Sequence, residues 1–334
     1  MPIAEDIDAA IGAYDRRDTL SGAIRISNAG KPVFERAFGQ ASRQLGVANT
    51  LATRFHIASM TKMLIAAAVV RLVGEGALSL AAHPAVYLPA LKALDRRITL
   101  HHLLSHTSGV ADVYDNDALR AEMAGLVARG GSFREYLVAL PQTFPPGDRW
   151  AYSTTGFLLL AFVLEAVAGA PFGQVIGEMF LTPLGMENTG PDDPYRVNPG
   201  RALGHVSTSD GWRNAQNDRL VEVDGPREFY STVGDLDRWA VALLDGKVLN
   251  EAGRAMSFTA HAHIGPDSGF DPSWNYGYGW FLGEDYRFIG GMTEGFVSAM
   301  WQYPDERLSV TMLWNNESVN SFRLLGALRP LLRA

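Results

Sequence analysis

The chain has 334 residues, long enough for two modest domains or one composite unit with a large core. Its hydrophobic fraction of 47% and charged fraction of 19% exclude disorder and fibrous repeats, because enough apolar surface is available to offset chain ordering. A net charge of −7 with scattered basic residues speaks against a nucleic-acid groove, and the absence of cysteine excludes disulfides, thiolate zinc sites and a cysteine nucleophile.

The first stretch, Met1 to Arg17, carries Glu5, Asp6 and Asp8 where a secretory signal needs basic residues and then an apolar segment, so a cytoplasmic protein is expected. Ser21 to Asn28 and Pro32 to Gln40 are β-type runs joined by Asn28-Ala29-Gly30-Lys31, which predicts a hairpin. From Ser59 to Val73 the chain is apolar apart from Thr61, Lys62 and Arg71, which predicts a helix buried on most sides. Between Leu78 and Asp245 apolar residues recur at helical spacing, interrupted by Gly/Pro-rich loops around Pro141 to Gly147 and Gly190 to Gly204. Strands are predicted at Tyr278 to Leu282, Tyr286 to Ile289, Phe296 to Tyr303 and Leu308 to Trp314, then a last helix over Val319 to Leu332. The longest apolar runs, Met63 to Val70 and Phe157 to Leu164, fall well short of the ~20 residues that cross a bilayer, so no membrane partner is expected. This order implies an α+β (mixed α/β) fold whose antiparallel sheet is fed by both termini and flanked by helices. Residues 1–75 and 265–334 would form the sheet lobe and residues 76–264 an inserted, mainly helical lobe, with the active site in the cleft between them.

Only four lysines occur, and Lys62 opens the apolar helix with Ser59 three residues before it. At that spacing the two side chains share a helix face with Cβ atoms about 5–6 Å apart. Burial among Met60, Met63 and Leu64 disfavours a charged amine, and a neutral one can take the serine proton. The helix N-terminus adds N–H groups for a developing oxyanion. A serine at a helix start is equally an ordinary N-cap, and S-x-x-K arises readily by chance, so the tetrapeptide needs support from its surroundings.

That support is spread over most of the chain. Phe55-His56-Ile57-Ala58-Ser59-Met60-Thr61-Lys62, Leu103-Leu104-Ser105-His106-Thr107-Ser108-Gly109, Trp150-Ala151-Tyr152-Ser153-Thr154-Thr155-Gly156-Phe157, Ser231-Thr232 with Asp235-Leu236, and Gly290-Gly291-Met292-Thr293-Glu294-Gly295-Phe296 occur in that order. Together they resemble the motifs of the serine penicillin-recognising enzymes, the family of class C β-lactamases, D-amino-acid peptidases and related esterases. The resemblance implies a β-lactamase/penicillin-binding-protein-like fold and an acyl-enzyme on Ser59. It implies Lys62 as base, Tyr152 as the phenol that relays a proton to the leaving group, and the N–H groups of Ser59 and Met292 as oxyanion hole. It implies no cofactor, and it makes the His106 segment a structural turn.

Two departures from the family pattern bear on substrate. Thr154 stands where an asparagine usually helps bind the substrate carbonyl, and Ile289-Gly290-Gly291 stands where a lysine or histidine opens the third motif and anchors a carboxylate. The second departure favours ester hydrolysis over β-lactam or carboxypeptide cleavage, with the glycines admitting substrate close to the backbone. Arg227 and Glu228, where small residues are common, either enter the cleft and shape substrate preference or form a surface ion pair. Trp274 and Tyr276 either wall an acyl or alcohol pocket or pack in the core. Of His101, His102 and His106, the pair His102 and His106 stands at i and i+4, but with no glutamate between them and no evident third ligand, no metal site is expected. The expected partner is a small ester or amide, handled by a serine carboxylesterase. An acyltransferase, a β-lactamase or D-amino-acid amidase, and an inactive binding module of the same fold remain as alternatives, and the oligomeric state is open.

Overall fold

Ala29 and Gly30 set the first turn. Both take the left-handed backbone, at φ 48° and 79°, that a two-residue hairpin turn requires, and β1 (Gly22–Asn28) pairs antiparallel with β2 (Lys31–Phe38) across it. The computed structural model describes residues 4–15, 19–193, 196–215 and 226–333. Three short strands follow in the chain, β3 (Phe55–His56), β4 (Gly190–Pro191) and β5 (Phe229–Ser231), and these form a small separate sheet in the order β3-β5-β4. The last third supplies β6 (Ala262–His263), β7 (Asn275–Tyr276), β8 (Phe281–Leu282), β9 (Arg287–Thr293), β10 (Phe296–Tyr303) and β11 (Leu308–Trp314). The main sheet runs β6-β7-β8-β9-β10-β11-β1-β2, every neighbour antiparallel, so the two ends of the chain meet where β11 pairs with β1.

One face of this sheet is covered by α1 (Ala4–Tyr14) and the last helix, Ser321–Leu332. Ile7, Ile11, Leu324 and Leu328 pack there with Ile24, Ile26, Trp301, Val310, Met312 and Trp314. Helix α1 is absent from the sequence reading, although Ile7 and Ile11 stand one helical turn apart. On the opposite face, Ser309 and Thr311 of β11 are buried rather than solvated, because the helix Val233–Leu244 lies over them. Asp237 of that helix accepts hydrogen bonds from Ser309 Oγ at 3.2 Å, from Arg25 Nε at 2.9 Å and from Ser27 Oγ. Polar alternation in this strand therefore marks a buried polar seam.

The helical part centres on α2 (Thr61–Gly74) and the helix Thr154–Ala168, buried from Thr61 to Val70 and from Thr155 to Leu164. These are the two apolar runs, and among the described residues no single helix is long and apolar enough to cross a membrane. The strand expected at Tyr278 to Leu282 shrinks to β8, since Tyr278 N–H turns aside to Ser257 O at 2.9 Å. The strand expected to end at Ile289 continues to Thr293, because Gly290 and Gly291 keep the ladder with Ala299 and Ser298. The last helix starts at Ser321, where Asn320 Oδ1 accepts the Arg323 N–H at 2.9 Å.

Candidate active site

Ser59 sits in a single 3-10 turn, Ala58–Met60, between β3 and α2. Three hydrogen bonds hold the turn and its flanks. Ile57 N–H donates to Phe229 O at 2.9 Å, Ser298 Oγ donates to Ile57 O at 2.7 Å, and Phe229 N–H donates in turn to Thr61 Oγ1 at 3.1 Å. Ser59 keeps partial exposure, whereas Lys62 is only 3% exposed. Lys62 Nζ donates to Ser59 Oγ at 3.1 Å and to Thr154 Oγ1 at 3.3 Å, so its two hydrogen-bond partners among the described residues are hydroxyls. The helical spacing seen in the sequence thus becomes a direct contact, and Thr154 keeps a polar link to the lysine despite its short side chain.

Thr154 is placed by the N-terminus of its helix. Ser153 Oγ caps it by accepting the Gly156 N–H at 3.0 Å. Asp112, which no motif flagged, accepts the Thr154 N–H at 2.8 Å and the Thr155 N–H at 3.3 Å, a carboxylate where the helix dipole favours one.

Tyr152 lies half-buried, its ring centroid 5.0 Å from Lys62 Nζ, 4.5 Å from the His106 ring and 5.5 Å from Phe270. His106 is more than a turn residue. Its Nδ1 accepts the Ser153 N–H at 3.0 Å, and because a backbone N–H can only donate, the neutral ring carries its proton on Nε2, which faces Tyr276 Oη at 3.1 Å. Burial, and then the Lys62 charge, hold His106 well below the usual histidine range, while burial, and then Tyr152, push the Tyr276 phenol well above its own. Both groups stay neutral, and the His106 ring packs against that of Tyr152.

The edge of β9 closes the site. A β-carbon on Gly291 would stand 2.5 Å from Ile57 O and 2.7 Å from Ser59 N, so only glycine lets the strand approach the serine this closely. Gly290 is likewise constrained, since its β-carbon would meet the Phe288 ring at 2.6 Å. Met292 follows with a side chain 73% exposed, leaving its main chain as the part held in place by the ladder.

Other expected contacts fall elsewhere. Ile289 is 1% exposed and packs in the helical core, so it presents no surface to a substrate. Trp274 and Tyr276 are core residues, not a pocket wall. Trp274 Nε1 donates to Tyr286 Oη at 2.8 Å with its ring stacked on Phe322, and Tyr276 supports His106. Arg227 lies 3.9 Å from Asp193 and lines a cavity of about 650 Å³, together with Arg54, Phe172 and Tyr230, whose walls include neither Ser59 nor Lys62. Glu228 reaches His56, its Oε2 3.5 Å from Nε2, in place of the cleft. His102 Nδ1 accepts the Thr99 N–H within a capping box and His101 Nδ1 contacts Tyr278 Oη at 2.7 Å, and no group of three metal-ligating side chains exists among the described residues.

Comparison with known proteins places this geometry. The family model described as Beta-lactamase matches residues 7–332. Esterase EstB of Burkholderia gladioli is 33% identical over 205 residues, 56% of this chain and 51% of that protein. Penicillin-binding protein 4 of Amycolatopsis lactamdurans is 29% identical, across 92% of this chain and 86% of its own. A penicillin binding protein from Bacillus halodurans superposes with a TM-score of 0.82 at 27% identity, covering 97% of this chain and 98% of that one. EstCE1, described as a hydrolase with promiscuous acyltransferase activity, shares the fold with a TM-score of 0.82 at 20% identity, covering 99% of this chain and 98% of that one. A match that runs through nearly the whole sequence and the whole fold has one reading: the chain belongs to the Beta-lactamase family, a family of serine hydrolases that includes esterases and penicillin-binding proteins.

Proposed function

We propose that the protein is a serine carboxylesterase that cleaves a small ester through an acyl-enzyme on Ser59. The observation that carries this reading is the buried Lys62 Nζ at 3.1 Å from Ser59 Oγ. In the first step the Lys62 amine takes the Ser59 proton while Oγ bonds to the ester carbonyl carbon. The resulting oxyanion is received by the N–H groups of Ser59, within its 3-10 turn, and of Met292 on the neighbouring strand. Collapse breaks the bond to the alkoxy oxygen, which takes a proton from Tyr152, and the Lys62 ammonium replaces that proton. A water then loses a proton to the same Tyr152–Lys62 pair, attacks the acyl carbonyl, and releases the carboxylic acid as Ser59 recovers its proton.

The choice of an ester rests on β9. Lactam and carboxypeptide substrates carry a carboxylate that needs a cation, and this strand offers none at its edge. Ile289 is apolar and buried, and Arg287 is held inward, its Nε donating to Gln302 Oε1 at 2.6 Å and its guanidinium 3.6 Å from the Phe258 ring. The esterase relative from Burkholderia gladioli agrees with that choice. The test is hydrolysis of p-nitrophenyl acetate and labelling by a fluorophosphonate probe. Both are expected in the native chain and lost in Ser59→Ala, with nitrocefin turned over far more slowly than the ester. Full ester turnover by Ser59→Ala would sink the mechanism, and nitrocefin turnover matching the ester would sink the substrate class.

A further inference from the structure

The residue just before the nucleophile is strained. Ala58 has φ 46°, a left-handed conformation that a residue with a β-carbon rarely adopts and that persists only where its neighbours impose it. One side chain bonds its peptide directly, since the Ala58 N–H donates to His56 Nδ1 at 3.2 Å. The imidazole is fully buried and its other nitrogen is engaged. Nε2 lies 3.5 Å from Glu228 Oε2 and 3.8 Å from Asp192 Oδ2, and the Phe296 ring stands 5.9 Å away. Asp192 is itself fixed. Its two oxygens accept Arg201 Nε and Nη2 at 2.6 Å each, and its N–H donates to Glu228 O at 2.9 Å.

We propose that His56 is a positioning residue for acylation, and this rests on reading Ser59 as the nucleophile. Through Nδ1 it holds the Ala58 peptide in its strained orientation, and so sets the direction of the Ser59 N–H and Oγ, while Asp192 and Glu228 hold the ring with its Nε2–H toward them and Nδ1 as the acceptor. The unusual Glu228 thereby acts two contacts behind the serine. If the Ala58 N–H loses its acceptor, the peptide can relax toward ordinary φ, and a misplacement of about 1 Å at the reacting oxygen costs roughly 100-fold.

The experiment compares His56→Leu, which keeps bulk but no acceptor, with His56→Asn, whose Oδ1 can accept an N–H two residues on as in an Asx turn. The full chain is assayed for the fluorophosphonate labelling rate and for kcat and KM on p-nitrophenyl acetate, each normalised to folded protein by circular dichroism. His56→Leu is expected to label roughly 30- to 100-fold more slowly with the loss in kcat and not in KM, and His56→Asn to stay within about threefold of the native rate. Should His56→Leu not fold, His56→Gln takes its place, because the longer amide cannot close the two-residue turn. A slow His56→Asn, or a His56→Leu or His56→Gln as fast as the native chain, overturns the proposal. A native chain that does not label at Ser59 removes the nucleophile reading itself, which is a separate result.

Discussion

Gly291 lies so close to Ser59 that a β-carbon on it would stand 2.7 Å from the serine nitrogen. No real β-carbon tolerates that distance, and the other near atoms are the Ile57 carbonyl and the Ser298 hydroxyl, so Gly291→Ala must push β9 away from the Ser59 turn. The proposed oxyanion hole spans that gap. Ester kcat/KM is expected to fall roughly 100-fold, with folding retained by circular dichroism. Native kcat/KM in Gly291→Ala would show that β9 takes no part.

Thr154 bonds Lys62 through Oγ1 at 3.3 Å. Thr154→Val keeps the shape and deletes that bond, whose typical worth is about 1 kcal/mol, so kcat should fall around fivefold to tenfold. Thr154→Ser, which retains the hydroxyl, is expected to recover most of the rate. Equal rates for the two variants would separate Thr154 from the lysine.

Ile289 is buried in the core at the position where a cation would anchor a carboxylate. Ile289→Lys therefore buries an uncompensated charge and should cost about 3 kcal/mol or more, read as a lowered urea midpoint, without a gain in nitrocefin turnover. A stable variant with new β-lactam hydrolysis would reverse this account.

Acid should destabilise the fold through histidines. Burial, helped by His261 and His102, pulls His101 down to about 4, burial lowers His102 and His261, and His106 is held well below its usual range. In the unfolded chain each takes a proton near pH 6.5, so below that pH the unfolded state binds protons that the folded state refuses. The stability they contribute is complete above about pH 6.5 and is lost as the pH falls toward 4. Melting temperatures should be level between pH 7 and 8 and drop steadily from 6.5 to 4.5; a level curve across that lower range would contradict the assignment.

Local rules carried much of this protein. The Asn28–Lys31 turn, the buried face of α2 and the Ser59–Lys62 spacing depend on backbone preferences and side-chain directions within a few residues, so all three are legible from the chain alone. The family motifs extended that reading to Tyr152, Thr154 and the Gly291 strand, because each motif is a short local string. Tertiary structure alone decided which residues stand behind them. His106 meets Tyr276 across 170 positions and Asp112 meets Thr154 across 42, while Glu228 turns from the cleft to His56. Trp274 and Tyr276 read as pocket or core and Ile289 as part of the third motif, and the difference lies in which face of a strand meets another layer. That choice is made by packing between distant segments, where burying an apolar side chain outweighs any local preference, and no spacing within one segment encodes it.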